Sequence, residues 1–518
     1  MRSVVSMMRK TKEMRVENRK SKVFTRTAAE LRNVVSIRRK PNEIEIKSFP
    51  HKAAELRKVV SIRRKPNDID IKMKKIDFIE TVIIAVPIII GQLSSMLMNV
   101  TDNIMVGNLG ADSLSAASLA SSVFILIAIL ALGAMNVVPS LVSEARGAED
   151  EVALKELYRA TIWSGLIWGI GIGILVFASS YALPYLGQPA EDVLLATSFV
   201  QVLGLATPFM TIFLALKGFF DGMEDTKVGM VVSIVGLGIN LFFNWVFIFG
   251  KLGFPALGFI GSAWATFCSR LLMMIAMIIL TRVLPMTQKY RFGTGFWSPS
   301  LKKMLIMGGA MGLQIFFEIA AFSGAAIMIG WLTGREAIVG RSAHQIVINM
   351  CSVTYMVTLG VSIAGSIRVG EALGRKDPVG INDAGNAALY IGIGFMACCA
   401  VLLVTFSQYF GSLYGNYNVD VQAVIIRISV IAAVFQLFDG AQCIAAGLLR
   451  GIQDVVFPTI MTFATYWVLW IPLAYYLGFN LKMGVDGIWW ADVIALAVAA
   501  IALNWRFSIL KKRLLSNF

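Results

Sequence analysis

Gly218-Phe219-Phe220-Asp221-Gly222-Met223-Glu224-Asp225 recurs as Gly447-Leu448-Leu449-Arg450-Gly451-Ile452-Gln453-Asp454, with glycine at the first and fifth places and aspartate at the eighth. One copy closes the fourth long apolar run of the chain and the other closes the tenth. A second pair, Glu144-Ala145-Arg146-Gly147 after the second run and Glu371-Ala372-Leu373-Gly374 after the eighth, keeps the same separation. If every run crosses a membrane once, partners six runs apart share one orientation. The chain then reads as two halves related by an axis along the membrane normal. Transporters built on such parallel repeats place their substrate site between the halves and rock them for alternating access.

The length of the runs says that they cross a membrane. They lie near 79–104, 117–142, 160–182, 194–216, 228–250, 259–283, 304–332, 342–367, 384–407, 423–448, 457–478 and 486–508. About 20 apolar residues span the ~30 Å hydrocarbon core. The composition agrees, with 57% hydrophobic and 15% charged residues, against roughly a quarter charged in soluble domains. The expected fold is an all-α polytopic membrane protein of twelve helices. Residues 76–290 form an N-lobe and 291–518 a C-lobe, divided by the polar link from Thr281 to Lys303. With a cytoplasmic N-terminus, the inside connections hold Arg146, Lys155, Lys217, Lys227, Lys302, Lys303, Arg368, Arg375 and Arg450 among others, whereas the outside ones hold Lys251, Arg335, Arg341 and Lys482. That asymmetry obeys the positive-inside rule and places both termini in the cytoplasm.

The net charge of +15 is not a nucleic-acid signal. Residues 1–75 carry 23 Lys and Arg against 8 Asp and Glu, and the rest of the chain balances. This segment contains a tandem repeat, Ala28 to Asn42 recurring from Ala53 to Asn67. It reads as a basic tether for anionic lipid, as a targeting sequence, or as translated upstream sequence without a role, since Met73-Lys74-Lys75 stands just before the first run. The last is the expectation, with residues 1–75 disordered. No cleavable signal peptide is expected. Cys268, Cys351, Cys398, Cys399 and Cys443 lack ligand spacing and read as reduced thiols. There is no P-loop, no His-Glu-x-x-His and only two histidines, so neither an enzyme nor an ATP-driven pump is expected.

A charge inside a span costs ~2.5 kcal/mol or more and needs a reason. Three acids stand out: Asp102 at the end of span 1, Glu318 in span 7 and Asp439 in span 10. Gln314 shares a helical face with Glu318, and Gln436 and Gln442 share one with Asp439. The bland reading is an acid that is protonated or paired to hold helices together. Arg270 is the one basic residue in the middle of a span, so it can partner one acid at most. A carboxylate in low dielectric otherwise exchanges a proton or keeps its charge by holding Na⁺. Asn240 and Asn244, four apart in span 5, either offer carbonyl oxygens to Na⁺ beside Asp102 or hydrogen-bond between helices. Pro87 removes a backbone hydrogen bond inside span 1 and is a hinge candidate. His344, at the start of span 8, reads as an interfacial structural residue.

At these residues the chain resembles the multidrug and toxic compound extrusion (MATE) family, in its bacterial NorM-like branch. The resemblance rests on Pro87, Gln92-Leu93, Asp102-Asn103-Ile104-Met105-Val106-Gly107, Gly110, and Gly447-Leu448-Leu449-Arg450-Gly451 with Asp454. It covers Met73 to the C-terminus. It implies two six-helix lobes opening in a V, and export of organic cations and amphipathic drugs in exchange for Na⁺ or H⁺, with no other cofactor. It puts the C-lobe cation site on Glu318 and Asp439, and the N-lobe site on Asp102, Asn240 and Asn244 with Thr266. Gln92, Gln314, Phe435, Gln436 and Gln442 are candidates to line the cleft. Phe435 stands where NorM-like members commonly carry Tyr, and Asn244 where some relatives carry Asp.

The expectation is a monomeric, multi-pass antiporter of the bacterial inner membrane. Its partners are small-molecule organic cations and the lipid bilayer, with no nucleic acid. A flippase for lipid-linked oligosaccharide would favour basic residues in the cleft, where the spans offer Arg270 and, near a helix end, Arg427. A passive channel or a receptor would not accumulate substrate against a gradient.

Overall fold

The computed structural model describes residues 66–186, 189–288, 290, 297–413 and 418–517. The tandem repeat lies almost wholly outside the described residues, and so do Lys289 and residues 291–296 of the central link. Met73–Phe518 forms one compact unit. It holds twelve helices long and apolar enough to cross a membrane, and no strand occurs among the described residues.

The first lobe contains α1 (Pro66–Gly107), α2 (Ala111–Met135 continued by Val138–Gly147), α3 (Glu151–Ser179), α4 (Ala190–Gly222), α5 (Thr226–Phe249) and α6 (Phe259–Val283). The second contains α7 (Pro299–Gly330), α8 (Arg335–Gly374), α9 (Pro378–Leu413), α10 (Val419–Gly451), α11 (Val456–Asn480) and α12 (Gly484–Asn517). Most helices outrun their apolar runs because their end turns are polar. Asp150 caps α3 by accepting hydrogen bonds from the Val152 and Ala153 amides, and Ser298 caps α7 ahead of Pro299. Both devices satisfy amides that have no partner within their helix. The break in α2 falls at Asn136-Val137, just before Pro139, whose ring clashes with the carbonyl four residues back. α1 begins at Pro66, so the last ten residues of the expected disordered extension are helical. Large apolar side chains such as Ile174, Val401, Ile501 and Trp505 are exposed, as a surface that faces lipid requires.

The repeat is written in the backbone. Non-glycine residues with positive φ close the same helices in both lobes: Glu149 and Lys376 after α2 and α8, Glu224 and Gln453 after α4 and α10, Leu252 and Lys482 after α5 and α11.

The lobes meet at the end of the bundle that carries the α2–α3 and α8–α9 turns, called here the closed end. The two matching Glu-Ala-x-Gly motifs touch each other across this junction. A methyl on Gly147 would overlap the backbone of Glu371, and one on Gly374 would overlap the backbone of Glu144. Higher up, Gly133 packs against Gly312, and Gly308 against Ala134. The Arg368 guanidinium of α8 donates to the Asp77 carboxylate at 2.7 Å, to the Asp77 carbonyl at 2.6 Å, to Thr81 at 3.0 Å and to Glu80 at 2.7 Å, all on α1. Gln453 also hydrogen-bonds Glu144 across the lobes. α1 is shared. Its Ile84, Ala85 and Ile88 pack with Val361 and Ile363 of the second lobe, whereas Gly91 and Asp102 face residues of α4, α5 and α6. Pro87 lies at the change of partner.

Most basic residues assigned to connections from sequence lie in the end turns of helices, and three of them, Lys217, Arg368 and Arg450, are buried. Lys217 is buried in α4 and ion-paired with Asp221 at 3.6 Å, and Arg368 is buried in α8. His344 is not interfacial. α8 starts seven residues before the apolar run that marks it in the sequence, and the ring is 4% exposed against Trp489.

Candidate functional site

Two groups of polar side chains lie away from the closed end, one in each lobe. In the first, α1 ends with the Asp102 carboxylate turned to α5 and α6. Asn244 donates to Asp102 Oδ1 at 2.5 Å, and its amide nitrogen also donates to Asn240 Oδ1 at 3.1 Å. Thr266 donates to Asp102 Oδ2 at 3.2 Å. The structure thus brings Asp102, Asn240, Asn244 and Thr266 together. Arg270, one turn beyond Thr266 on α6, interacts electrostatically with Asp102 and lays its guanidinium over the Phe124 ring at 5.1 Å. Asp102 therefore has hydrogen-bond donors on both oxygens and a positive charge nearby. This first-lobe group is electrically close to balanced.

The second group is not. Glu318 of α7 and Asp439 of α10 are 8% and 4% exposed, and each carboxylate lies in the other's field. No Lys or Arg among the described residues offsets either charge. Arg450, buried on the same helix as Asp439, lies eleven residues further on, roughly 16 Å along the axis, where it faces Ser362 and Met311. Around the acids stand neutral oxygens. Gln442 accepts a hydrogen bond from the Tyr466 hydroxyl at 3.3 Å. Gln436 donates to Cys351 Sγ at 3.4 Å, and its own Oε1 has no partner among the described residues. Tyr355 of α8 and Tyr466 of α11 both feel the charges of Glu318 and Asp439. Gln314, one turn before Glu318, is buried as well. Phe435 packs its ring against Phe322 at 5.8 Å and Trp489 at 5.6 Å.

Gln92 and Pro87 belong to neither group. They sit ten and fifteen residues before Asp102 on α1, roughly 15 and 22 Å along the helix. A ≈500 Å³ pocket at the closed end, lined by Glu144, Lys303 and Gln453 among others, contains none of these acids.

Sequence reasoning missed Tyr355, Tyr466 and a further acid, Asp492 of α12, which is 3% exposed. Asp492 carried a usable signal, because it is an uncompensated charge inside an apolar run. The tyrosines carried none, since only the fold brings α8 and α11 to the acid pair. α11 is also irregular where it meets this site, with π-helical turns over Ala464–Trp470 and Tyr476–Asn480. Such turns are frequent at functional sites.

Comparison with known proteins identifies the fold and the family. The sequence model of the MatE family matches residues 87–246 and 313–476, one stretch in each lobe. The chain is 33% identical over 437 residues to a probable multidrug resistance protein NorM of Rhizobium meliloti (strain 1021), covering 83% of this chain and 93% of that protein. It is 28% identical over 447 residues to the multidrug resistance protein NorM of Aliivibrio fischeri (strain ATCC 700601 / ES114), covering 84% and 95%. Among solved structures, the eukaryotic MATE transporter AtDTX14 superposes with a TM-score of 0.76 at 21% identity, covering 85% of this chain and 98% of that one. An outward-facing multidrug resistance MATE transporter of the MOP superfamily gives 0.74 at 22% identity, covering 85% and 96%. These two share the twelve-helix fold seen here. With a family match in both lobes and NorM relatives over most of its length, this multi-pass membrane protein belongs to the MATE family of multidrug efflux transporters.

Proposed function

We propose that the chain exports organic cations and amphipathic drugs in exchange for a monovalent cation, Na⁺ or H⁺, that binds at Glu318 and Asp439. One observation carries the choice of lobe. Among the described residues the acid pair of the second lobe has no counter-charge, whereas Asp102 has Arg270. A buried charge without a partner is costly, so the pair gains most from an incoming cation. The available oxygens, from two carboxylates, Gln436 and the Tyr466 hydroxyl, suit either ion. Asp102, Asn240, Asn244 and Thr266 act as a positioning group that shapes the cleft beside them, with Arg270 fixing the charge.

The closed end faces the cytoplasm, a placement that the distribution of basic residues supports, and both termini lie there in the bacterial inner membrane. The conformation is then outward-facing. A cation from outside neutralises the acid pair, weakens its hold on a cationic substrate in the cleft lined by Gln314, Phe435, Gln436 and Gln442, and allows release. Return requires the junction at Gly147 and Gly374 to part while α1 bends at Pro87, where its partner changes from one lobe to the other. Each chain carries both lobes and works as a monomer. The flippase reading is disfavoured because Arg427 is engaged by Asp486 at 2.7 Å and Arg270 by the Asp102 group.

The test is efflux of a fluorescent organic cation from vesicles, with the Na⁺ and pH gradients imposed separately. Efflux driven by one of them supports antiport, and efflux driven by neither refutes it.

A further inference from the structure

α12 holds a buried acid that the site above does not use. Asp492 lies one turn after Trp489, eight residues into the helix. It is surrounded by Ala491, Val493 and Leu496 of its own helix and by Trp470 of α11. Among the described residues its Oδ1 has no hydrogen-bond partner. Nor have three polar atoms on nearby buried side chains: the indole N–H of Trp470, the indole N–H of Trp489 and Nδ1 of His344. All four residues are at most 4% exposed. Unsatisfied buried polar atoms are few in folded proteins and each calls for an explanation. Here four are gathered in one place, two of them, Asp492 Oδ1 and the Trp470 N–H, belonging to neighbouring side chains.

Their order in space is informative. The Tyr466 hydroxyl donates to Gln442 and lies in the fields of Glu318, Asp439 and Asp492. Trp470 is one turn further along α11, and Asp492 stands beside it, short of hydrogen-bond geometry. Trp489 is one turn nearer to the α11–α12 connection, and its ring lies 5.5 Å from that of His344 on α8. The series runs from the acid pair towards the end of the lobe opposite the closed end.

We propose that Asp492 is a second cation-binding carboxylate of this lobe, that its cargo is a proton, and that it is reached from the outer side past His344 and Trp489. The proposal rests on the antiport reading and adds to it a count: two positive charges enter for each organic cation exported. The identity of the cargo follows from the neighbours. Hard metal ions need several oxygen ligands, but Asp492 is surrounded by apolar carbon and indole N–H groups. A proton needs one lone pair, which Oδ1 offers. Among the titratable groups, Tyr466 of α11 lies in the field of Asp492 as well as of Glu318 and Asp439, and His344 of α8 meets Trp489, one turn from Asp492. On α9, Asp383 lies beside Lys511, roughly 28 Å along α12 from Asp492, and Tyr390, Cys398 and Cys399 follow further along that helix.

The full-length protein is reconstituted in vesicles loaded with ethidium, and an inside-negative potential is imposed without a Na⁺ or pH gradient. Two charges in for one out leaves one net charge moving inward. A potential of 100 mV then drives ethidium out to a ratio of about 50-fold. Asp492→Asn should reduce that ratio to about one while keeping export under a Na⁺ or pH gradient, and Asp492→Glu should behave as wild type. Wild-type protein that exports under an ion gradient but not under potential alone overturns the proposal and leaves antiport standing. Asp492→Asn protein that keeps the 50-fold ratio overturns it too. Wild-type protein inert under every gradient overturns both readings. If the Asn variant fails to fold, the wild-type ratio decides, with Asp492→Glu as its check: about 50-fold in both supports the proposal, and about one in wild type refutes it.

Discussion

Replacing Gly374 with alanine is expected to open the closed end without touching either polar group. The added methyl would sit 2.8 Å from the Ala148 amide nitrogen and 2.9 Å from the Glu144 carbonyl carbon, and would overlap the Glu144 oxygen. Ordinary carbon–oxygen contact needs ~3.3 Å or more, and all three obstacles are backbone atoms that cannot swing aside. The α2 and α8 ends must therefore separate. Overpacking of this kind costs about 1–3 kcal/mol. Because the contact exists only in the closed arrangement, the cost falls on that state alone and shifts the equilibrium between conformations by about 5- to 150-fold. Gly147→Ala meets the Glu371 backbone in the same way, and the double variant should shift further. Spin labels at Lys251→Cys and Lys482→Cys, on connections at the opposite end, report the change as a distance distribution. Cys268, Cys398 and Cys399 are replaced with serine for this purpose. Gly374→Ala should move the population to shorter distances in protein that still melts cooperatively. A distribution identical to wild type would refute the view that these glycines hold the lobes closed.

Other outcomes follow from the same contacts. Arg368→Met removes four hydrogen bonds from a guanidinium that is buried against α1, and should destabilise the protein by ~3–5 kcal/mol in a thermal melt. Asp102→Asn leaves Arg270 without its balancing charge and should cost more stability than the double variant Asp102→Asn/Arg270→Met, a difference that a double-mutant cycle on melting measures. Tyr466→Phe removes the hydroxyl that donates to Gln442, at ~0.5–1.5 kcal/mol, and should raise the coupling-ion concentration for half-maximal export several-fold with the fold intact.

Much of this was legible in the sequence because membrane helices announce themselves by length and composition. The twelve runs, their pairing six apart and the polar faces of spans 5, 7 and 10 needed only helical periodicity. The paired motifs even marked the positions where the two lobes touch, although nothing local showed that Gly147 would meet Glu371 or Gly374 meet Glu144. Distance in sequence hid the rest. Lys217 and Arg368 look like connection residues until the helices are seen to extend past their apolar runs and to pair them with Asp221 and with Asp77, Glu80 and Thr81. His344 seemed interfacial because polar Arg335 and Glu336 obscured the true start of α8. Asp492 follows Trp489-Trp490-Ala491 near the start of the last run, where a charge is easily read as a helix end. Phe435 stands where NorM-like relatives commonly carry Tyr. In the fold, that ring packs between Phe322 and Trp489, and the hydroxyls near the acids come from Tyr355 and Tyr466.

The central claim is that a cation bound at Glu318 and Asp439 drives export, and the most direct test compares wild type with Asp439→Asn in the same vesicles. The lumen is loaded with a fluorescent organic cation, an inward Na⁺ or H⁺ gradient is applied, and efflux against an opposing dye gradient is recorded. Wild type should export the dye uphill under at least one ion gradient, and Asp439→Asn should bind the dye yet export none of it uphill. Uphill export by Asp439→Asn at the wild-type rate would contradict the account.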